Sequence, residues 1–523
     1  MTQAQALNIL KTGANVFLTG EPGSGKTYLV NQYVSYLRQR KIEPAITAST
    51  GIAATHIGGT TVHSWSGIGI KTFLDRYELD RLSGNRYVFE RVNRAKVLII
   101  DEVSMLSAQT LSLVDAVCRE IKRNQEPFGG LQIILVGDFF QLPPVQSADE
   151  QQPRLLQGLF DRFAYKSQAW PAAKLAVCYL TEQYRQEDLD FLTILSAIRG
   201  NKFNNDGSHL QHLEGRIVQA DNHPQNIPKL FSHNADVDRV NEEKLNQLPG
   251  QPRTFAMRQK GRPKLVEVLK RTCLSPERLI LKPKAAVMFT KNNPREGFVN
   301  GTLGLVAGFD SQSGYPIVKT HTGQKIHVEP MDWTVEDNGR VLATITQLPL
   351  RLAWAITVHK SQGMSLDAAV MDLRAVFEFG QGYVALSRVR SLAGLHLLGW
   401  NERTFEVHPE ILEADQEFRQ ASDEAVAVFG RLEAKELKKM HENFIRGSGG
   451  EILQVNEPSE EVKGTFEQTR KTHPNAYRPW DEEQDQKLRE SFGQNLPVKE
   501  LAAIFGRKTG AIRSRLAKLG LIE

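Results

Sequence analysis

Residues 20 to 27 read Gly-Glu-Pro-Gly-Ser-Gly-Lys-Thr, the GxxxxGK[ST] spacing of a loop that cradles phosphate. Gly23 and Gly25 let the backbone take turns that a β-carbon forbids, so successive N–H groups face phosphate oxygens beside the positive end of the next helix. Gly20, Gly23, Ser24 and Gly25 would line the phosphates, Lys26 would reach the β- and γ-phosphates, and the Thr27 hydroxyl would ligand Mg²⁺. A carboxylate pair, Asp101-Glu102, closes the apolar run Val97-Leu98-Ile99-Ile100. There Asp101 would hold Mg²⁺ through its water shell, and Glu102 would polarise the water that attacks the γ-phosphate. In residues 137–144, Gly-Asp-Phe-Phe-Gln-Leu-Pro-Pro, Gln141 offers an amide that could sense the γ-phosphate, while Phe139 and Phe140 suit a core equally well. Together these residues imply binding and hydrolysis of a nucleoside triphosphate.

Such groups need a scaffold that holds them at one edge. An apolar strand over residues 16–19 precedes the loop, and Leu29, Val30, Tyr33, Val34 and Leu37 repeat at helical spacing after Lys26. Further apolar strands at 45–48, 97–100 and 133–136 are each followed by polar residues, the pattern of a parallel α/β sheet whose ligands sit at the carboxyl ends of the strands.

Composition sets bounds only. At 523 residues the chain has room for about three or four domains. A net charge of +5 and a pI near 8.9 are mildly basic, so a nucleic-acid footprint must be local. Cys118, Cys178 and Cys273 lie far apart, which argues against a disulfide framework or zinc site and fits a reducing compartment. No apolar run approaches the ~20 residues of a membrane helix, and the first core strand leaves no room for a signal peptide. The expectation is a soluble cytoplasmic protein, nucleoid-associated in a bacterium, with no membrane partner.

The motifs, in order, resemble the superfamily 1B DNA helicases of the PIF-one (petite integration frequency) type. The resemblance is carried by LTGEPGSGKT (18–27), ITASTGIAATHIGGTTVHSW (46–65), LIIDEVSML (98–106), LVGDFFQLPPV (135–145), LTEQYRQ (180–186), WAITVHKSQGMSLD (354–367) and GQGYVALSRVRS (380–391). Residues 105–135 are similar to the family's signature segment, and the match spans roughly residues 3–400.

The resemblance implies that Gln3 reads adenine, with Gln5 a nearby rival. It also implies that Arg185 and Arg388 deliver positive charge to the phosphates from the opposite lobe, as arginine fingers do. Thr60, Thr61, His63, Ser64 and Trp65 would offer hydroxyls and rings to a single strand of DNA, although their alternation also suits a strand or turn packed inward. His359, Lys360 and Ser361 would contact the strand and couple it to the nucleotide, with Gly363 allowing close backbone approach.

The expected architecture is two tandem RecA-like P-loop lobes in an α/β fold. Lobe one covers residues 1–177, with a small wedge at 68–94; lobe two covers 178–283 and 341–425; a Src-homology-3-like β-barrel is inserted at 284–340. A helical extension and polar linker fill 426–476. Residues 477–523 read as three short helices, with Asp481, Pro497 and Thr509 placed to start them and Arg507, Lys508, Arg513, Arg515 and Lys518 on or beside the third. That suggests a helix-turn-helix module touching duplex DNA through 507–518, against a basic solvated face or a protein-docking domain.

The expected function is an ATP- and Mg²⁺-dependent DNA helicase, a monomer that tracks single-stranded DNA and opens duplex junctions in replication, recombination or repair. The resemblance implies 5′ to 3′ polarity and includes telomere-maintenance relatives. Alternatives are a DNA-bound ATPase switch that separates no strands, and an RNA-translocating enzyme.

Overall fold

The structure, a computed structural model, describes the chain apart from residues 70, 145–161, 184–187, 204–206, 220–226, 292, 294, 299, 321–322, 338–339, 359–360, 362–364, 453–481, 495, 508, 520, 522 and 523. It forms two compact units, Met1–Glu451 and Ile452–Glu523.

The first unit is built on two parallel sheets. In the six-stranded sheet the order is Thr60–Thr61, Ala45–Ala48, Val97–Asp101, Gln132–Val136, Val16–Gly20 and Ala176–Leu180. Val16, Phe17 and Leu18, like Val97 through Ile100, are buried on both faces, as a sheet covered by helices on both sides demands. The parallel register, Val16 opposite Ile134 and Ala48 opposite Asp101, brings Gly20, Asp101 and the residues after Val136 to one carboxyl edge. The expected boundary at 177/178 cuts the edge strand Ala176–Leu180, whose Cys178, Tyr179 and Leu180 are buried beside Val16–Gly20; lobe one therefore runs through Leu180. In residues 68–94 two capped helices, Arg76–Ser83 and Arg86–Arg94, pack on helix Ala108–Lys122.

The second parallel sheet has the order Ala355–Thr357, Lys229–Phe231, Ala369–Leu373 and Leu395–Trp400. Helix Gln381–Leu386, buried along its length, packs against helix Leu189–Arg199. Before this sheet closes, the chain makes a five-stranded antiparallel sheet, Lys325–His327, Pro316–Thr320, Leu303–Phe309, Ala286–Phe289 and Leu350–Leu352, around Val287, Phe289, Val306 and Val318. The expected edge at 340/341 cuts the paired strands Met331–Asp337 and Arg340–Gln347. These join Arg258–Gly261 in a separate three-stranded sheet against helix Pro263–Thr272, so the inserted structure extends beyond 284–340 on both sides.

Helix Pro409–Gly430 is continuous across the expected edge at 425/426. It returns to lobe one, where Tyr179 N donates to Ser422 Oγ at 3.1 Å. Helix Ala434–Gly447 then lies on helix Gln3–Lys11, with the Phe444 ring where a β-carbon on Gly13 would sit. None of the described helices is long and apolar enough to cross a membrane.

In the second unit, helices Glu482–Gly493, Val498–Ile504 and Thr509–Lys518 enclose Leu488, Leu501, Phe505, Ile512 and Leu516. Two of the cations expected to face DNA turn inward. Arg507 is buried and donates to Gln484 Oε1 at 2.9 Å, and Arg515 Nε donates to Asp485 at 2.7 Å. Arg513 is exposed, whereas Asp481, Lys508 and the linker at 453–476 lie outside the described residues, as does the Lys518 side chain.

Candidate active site and nucleic-acid interface

The phosphate loop leaves strand Val16–Gly20 and enters helix Lys26–Gln39 through Gly25, whose φ of 82° lies in the left-handed region open to glycine. No side chain caps this helix, so its first N–H groups remain available to an anion. Gly20 is fixed by close approach: a β-carbon there would lie 2.6 Å from the Leu180 carbonyl oxygen and 2.8 Å from Ser24 Oγ. Ser24 Oγ is buried with no hydrogen-bond partner, and Lys26 Nζ donates to the Gly20 and Glu21 carbonyls at 2.7 and 3.0 Å. An orphan hydroxyl, an uncapped helix start and a cation folded over the loop are the donor set that a triphosphate satisfies. Gln3 stands at this loop, its Nε2 donating to Ser24 O at 3.2 Å. Its rival Gln5 is committed to a capping box, accepting from Thr2 N at 2.9 Å.

Asp101 ends its strand with Ser49 N donating to its carbonyl at 3.0 Å, and its carboxylate accepts from Glu102 N at 2.9 Å. Burial, then the charge of Glu102, push Asp101 above the ordinary carboxylate range, while the Glu102 N–H bond and Lys26 pull the other way. Lys26, Asp101 and Glu102 thus share one electrostatic environment. Thr27 is exposed at the helix start. A divalent cation fits the hydroxyl of Thr27 and the carboxylate of Asp101, since hard oxygen donors suit Mg²⁺ and its charge would relieve the acidic pair. Glu102 sits at φ 52°, in the left-handed region, where it starts the 3₁₀ turn Val103–Met105 and directs the chain away from the sheet edge.

Gln141 is buried, with Nε2 3.3 Å from Asp138 Oδ2. Phe139 belongs to an aromatic cluster with Phe17, Tyr165, Trp170 and Phe418, so it is core; Phe140 lies under the Arg199 guanidinium at 4.0 Å. Arg388 is 1% exposed: its Nε donates to Val384 O at 2.8 Å, Nη2 to Ser387 Oγ at 2.7 Å and Nη1 to Ser361 O at 3.4 Å. Ser361 departs from its expected strand contact. It is fully buried with its hydroxyl donated to Val358 O at 2.8 Å, and it serves Arg388 instead. Arg185, His359, Lys360 and Gly363 lie outside the described residues. Asp188 is tied to the segment after Arg388, since Leu392 N donates to its Oδ2 at 2.9 Å.

Thr60, Thr61, Ser64 and Trp65 line a groove of about 1190 Å³. Residues 62–66 are helical, not a strand; Trp65 is buried in the core with one edge on the groove, and His63 is not among the lining residues. Burial holds the His63 pKa below its ordinary 6.5, favouring the neutral imidazole. The sequence reading missed most of the groove's cations and rings: Tyr87, Arg91 and Arg94 on the first-lobe side, Arg262, Lys291 and Trp333 on the other. Arg262 donates to Tyr87 OH at 2.7 Å and covers its ring at 4.7 Å, clasping the two sides. Lys291 lies 4.9 Å over the Trp333 ring. Cations interleaved with aromatics were the available signal, scattered over some 240 residues of chain.

Comparison with known proteins agrees with this geometry. Residues 2–206 match the PIF1-like helicase family. The chain is 42% identical over 513 residues to the ATP-dependent DNA helicase Pif1 of Psychrobacter sp. (strain PRwf-1), covering 87% of this chain and 76% of that protein. A crystal structure of Bacteroides sp Pif1 in complex with ADP-AlF4 is 29% identical with a TM-score of 0.69, over 80% of this chain and 96% of that one. Bacteroides Pif1 bound to ssDNA is 28% identical with a TM-score of 0.55, over 81% and 97%. The two parallel sheets are the RecA-like lobes of this fold. The chain belongs to the PIF1-like helicases.

Proposed function

We propose that this ATP-dependent DNA helicase hydrolyses ATP between its two RecA-like lobes and converts lobe closure into steps along a single strand held in the groove. What supports the reading is the strand register that brings the phosphate loop, the Asp101-Glu102 pair and the Gln141 segment to one sheet edge; Arg388 would be supplied by the second lobe. Gln3 would select adenine, and Gly20, Gly23, Ser24, Gly25 and Lys26 would bind the phosphates. Glu102 would take the proton of the attacking water, and Gln141 would register the γ-phosphate. Arg388 and Arg185 would stabilise charge on the transferring phosphoryl group. Mg²⁺ held at Thr27 and Asp101 would neutralise charge on the β- and γ-oxygens when bound.

On the DNA side, Thr60 and Ser64 would offer hydroxyls to a strand, Trp65 and Trp333, both largely buried, would wall the groove, and Arg262 and Lys291 would add phosphate charge. His63, His359 and Lys360 are assigned to the borders of the same path. The five-stranded antiparallel sheet supports reading the insertion as a Src-homology-3-like barrel, and helices Arg76–Ser83 and Arg86–Arg94 support a wedge. For the C-terminal three-helix unit we keep duplex contact through the exposed Arg513, with Arg507 and Arg515 structural. A monomer in the cytoplasm, at the nucleoid of a bacterium, acting 5′ to 3′ in replication, recombination or repair, completes the proposal.

Duplexes with a 5′ or a 3′ single-stranded tail test it. The wild-type chain should open the 5′-tailed substrate with ATP and Mg²⁺, and Lys26→Ala should open neither while still binding the tail. ATPase stimulation by DNA without strand separation would favour the switch instead.

A further inference from the structure

A buried polar cluster outside the phosphate loop centres on Arg199. This arginine is 4% exposed at the end of helix Leu189–Arg199. Its Nη1 donates to both carboxylate oxygens of the fully buried Asp138 at 2.9 Å and to Tyr383 OH at 3.2 Å, and its Nη2 donates to Tyr179 OH at 2.8 Å. The partners come from both sides of the seam between the lobes. Asp138 and Tyr179 follow or belong to strands of the first sheet, whereas Tyr383 sits on helix Gln381–Leu386 of the second lobe. Helix Pro409–Gly430 closes the cluster, with Asp415 accepting from Tyr179 OH at 2.9 Å and Arg419 donating to the same hydroxyl at 2.6 Å.

Two links make this more than a structural tie. Asp138 is the carboxylate that also receives Gln141 Nε2, so any turn of the Gln141 amide towards a γ-phosphate shifts the load on the Asp138–Arg199 pair. On the far side, Val384, next to Tyr383, supplies the carbonyl that holds Arg388 Nε. The start of that same helix presses on the Gln141 segment, since a β-carbon on Gly380 would lie 2.5 Å from Phe140 O and 3.1 Å from Gln141 O. We propose that Arg199 is a positioning residue that transmits the state of Gln141 across the seam to the helix holding Arg388, so that hydrolysis responds to the DNA strand.

This inference rests on the helicase reading, and its test separates the two. Removing one partner of a buried ion pair can simply unfold the protein, so the variants are conservative. Arg199→Lys keeps the charge and loses the fork; Tyr383→Phe keeps the ring and loses only the hydroxyl that accepts from Arg199. ATPase would be measured with and without saturating single-stranded DNA, alongside melting temperature and affinity for ADP. Both variants should melt within a few degrees of wild type, keep ADP affinity and the DNA-free rate within about 3-fold, and lose about 10-fold or more of the DNA-stimulated kcat at unchanged KM for ATP. If Arg199→Lys does not fold, Tyr383→Phe alone decides. Full stimulation in the folded variants, or loss of ADP affinity in step with melting temperature, overturns the inference. A wild-type chain that DNA does not stimulate removes the helicase reading and this inference together.

Discussion

The phosphate loop and the Arg199 seam are both dense in polar contacts, yet they are built in opposite ways. The loop is mainly local: residues 20–27 shape it by backbone geometry and Lys26 folds back on the Gly20 and Glu21 carbonyls, with Leu180 and Gln3 of the same lobe packed against it. The seam is assembled from Asp138, Tyr179, Arg199, Tyr383 and Asp415, every one on a different element. A local site can bind nucleotide whatever the other lobe does. A distributed one has meaning only when the lobes meet, and that division suits binding on one side and coupling on the other.

The comparison is broken most severely at Arg388. Arg388→Ala should lower DNA-stimulated kcat by roughly 10³-fold or more while ATP binding changes little, because an arginine that meets the phosphoryl group only at the transition state contributes to rate and not to ground-state affinity. Equal losses in both would move Arg388 into the binding pocket. The groove gives a smaller effect. Trp333→Ala should weaken single-strand binding by up to ~1–3 kcal/mol and, because the ring is also packed with Val266, Leu269 and Ile345, should lower the melting temperature as well. Arg262→Ala should flatten the dependence of log affinity on log salt by about 0.7, as for one lost phosphate contact on a single strand. An unchanged salt slope would leave the Arg262–Tyr87 clasp purely structural.

Helix Ala434–Gly447 sharpens the picture from the binding side, since it packs on the helix that carries Gln3. Gly13→Ala should lower the melting temperature by several degrees, because its β-carbon would meet Phe444 within 2.3 Å at a φ of 87°. Gly13→Ala combined with Phe444→Ala should recover little, as the φ penalty remains. The smallest effect belongs to His63. Its folded pKa is depressed by burial, so the stability it contributes is complete above its unfolded value of 6.5 and is lost as pH falls below that towards the folded pKa. The melting-temperature difference between His63→Asn and wild type should be flat from pH 8 to 7 and should grow in the variant's favour below 6.5; a flat line to pH 5 would contradict the burial.

These two regions also mark what the sequence could tell. The loop, the Asp101-Glu102 pair and four strands of the first parallel sheet follow from residues close together in the chain, where glycine spacing and apolar runs speak directly, whereas the second lobe and the inserted sheet are expected from the family resemblance. Domain edges were harder: the strand Ala176–Leu180 reads as the start of a new lobe but pairs with Val16–Gly20 in the first, and pairing between distant strands leaves no mark in a local pattern. Arg199 did leave one, since it lies on the helical stripe of Phe191 and Leu195, where a charge must find partners. Ser361 shows a related limit, because a motif names a residue without saying which way its hydroxyl turns, and here it is donated to Val358 O. The inward turn of Arg507 and Arg515 has the same cause: a run of cations is read as a surface until Gln484 and Asp485 are seen to meet it.

The central claim is that the second lobe completes a phosphate site begun by the first. A crystal structure of this chain with ADP-AlF4, Mg²⁺ and a single strand of DNA tests it most directly. The Arg388 guanidinium should leave Ser387 Oγ and Ser361 O and stand about 3 Å from the fluoroaluminate group. A guanidinium still bonded to those two residues, with the lobes closed and the nucleotide in place, would contradict the account.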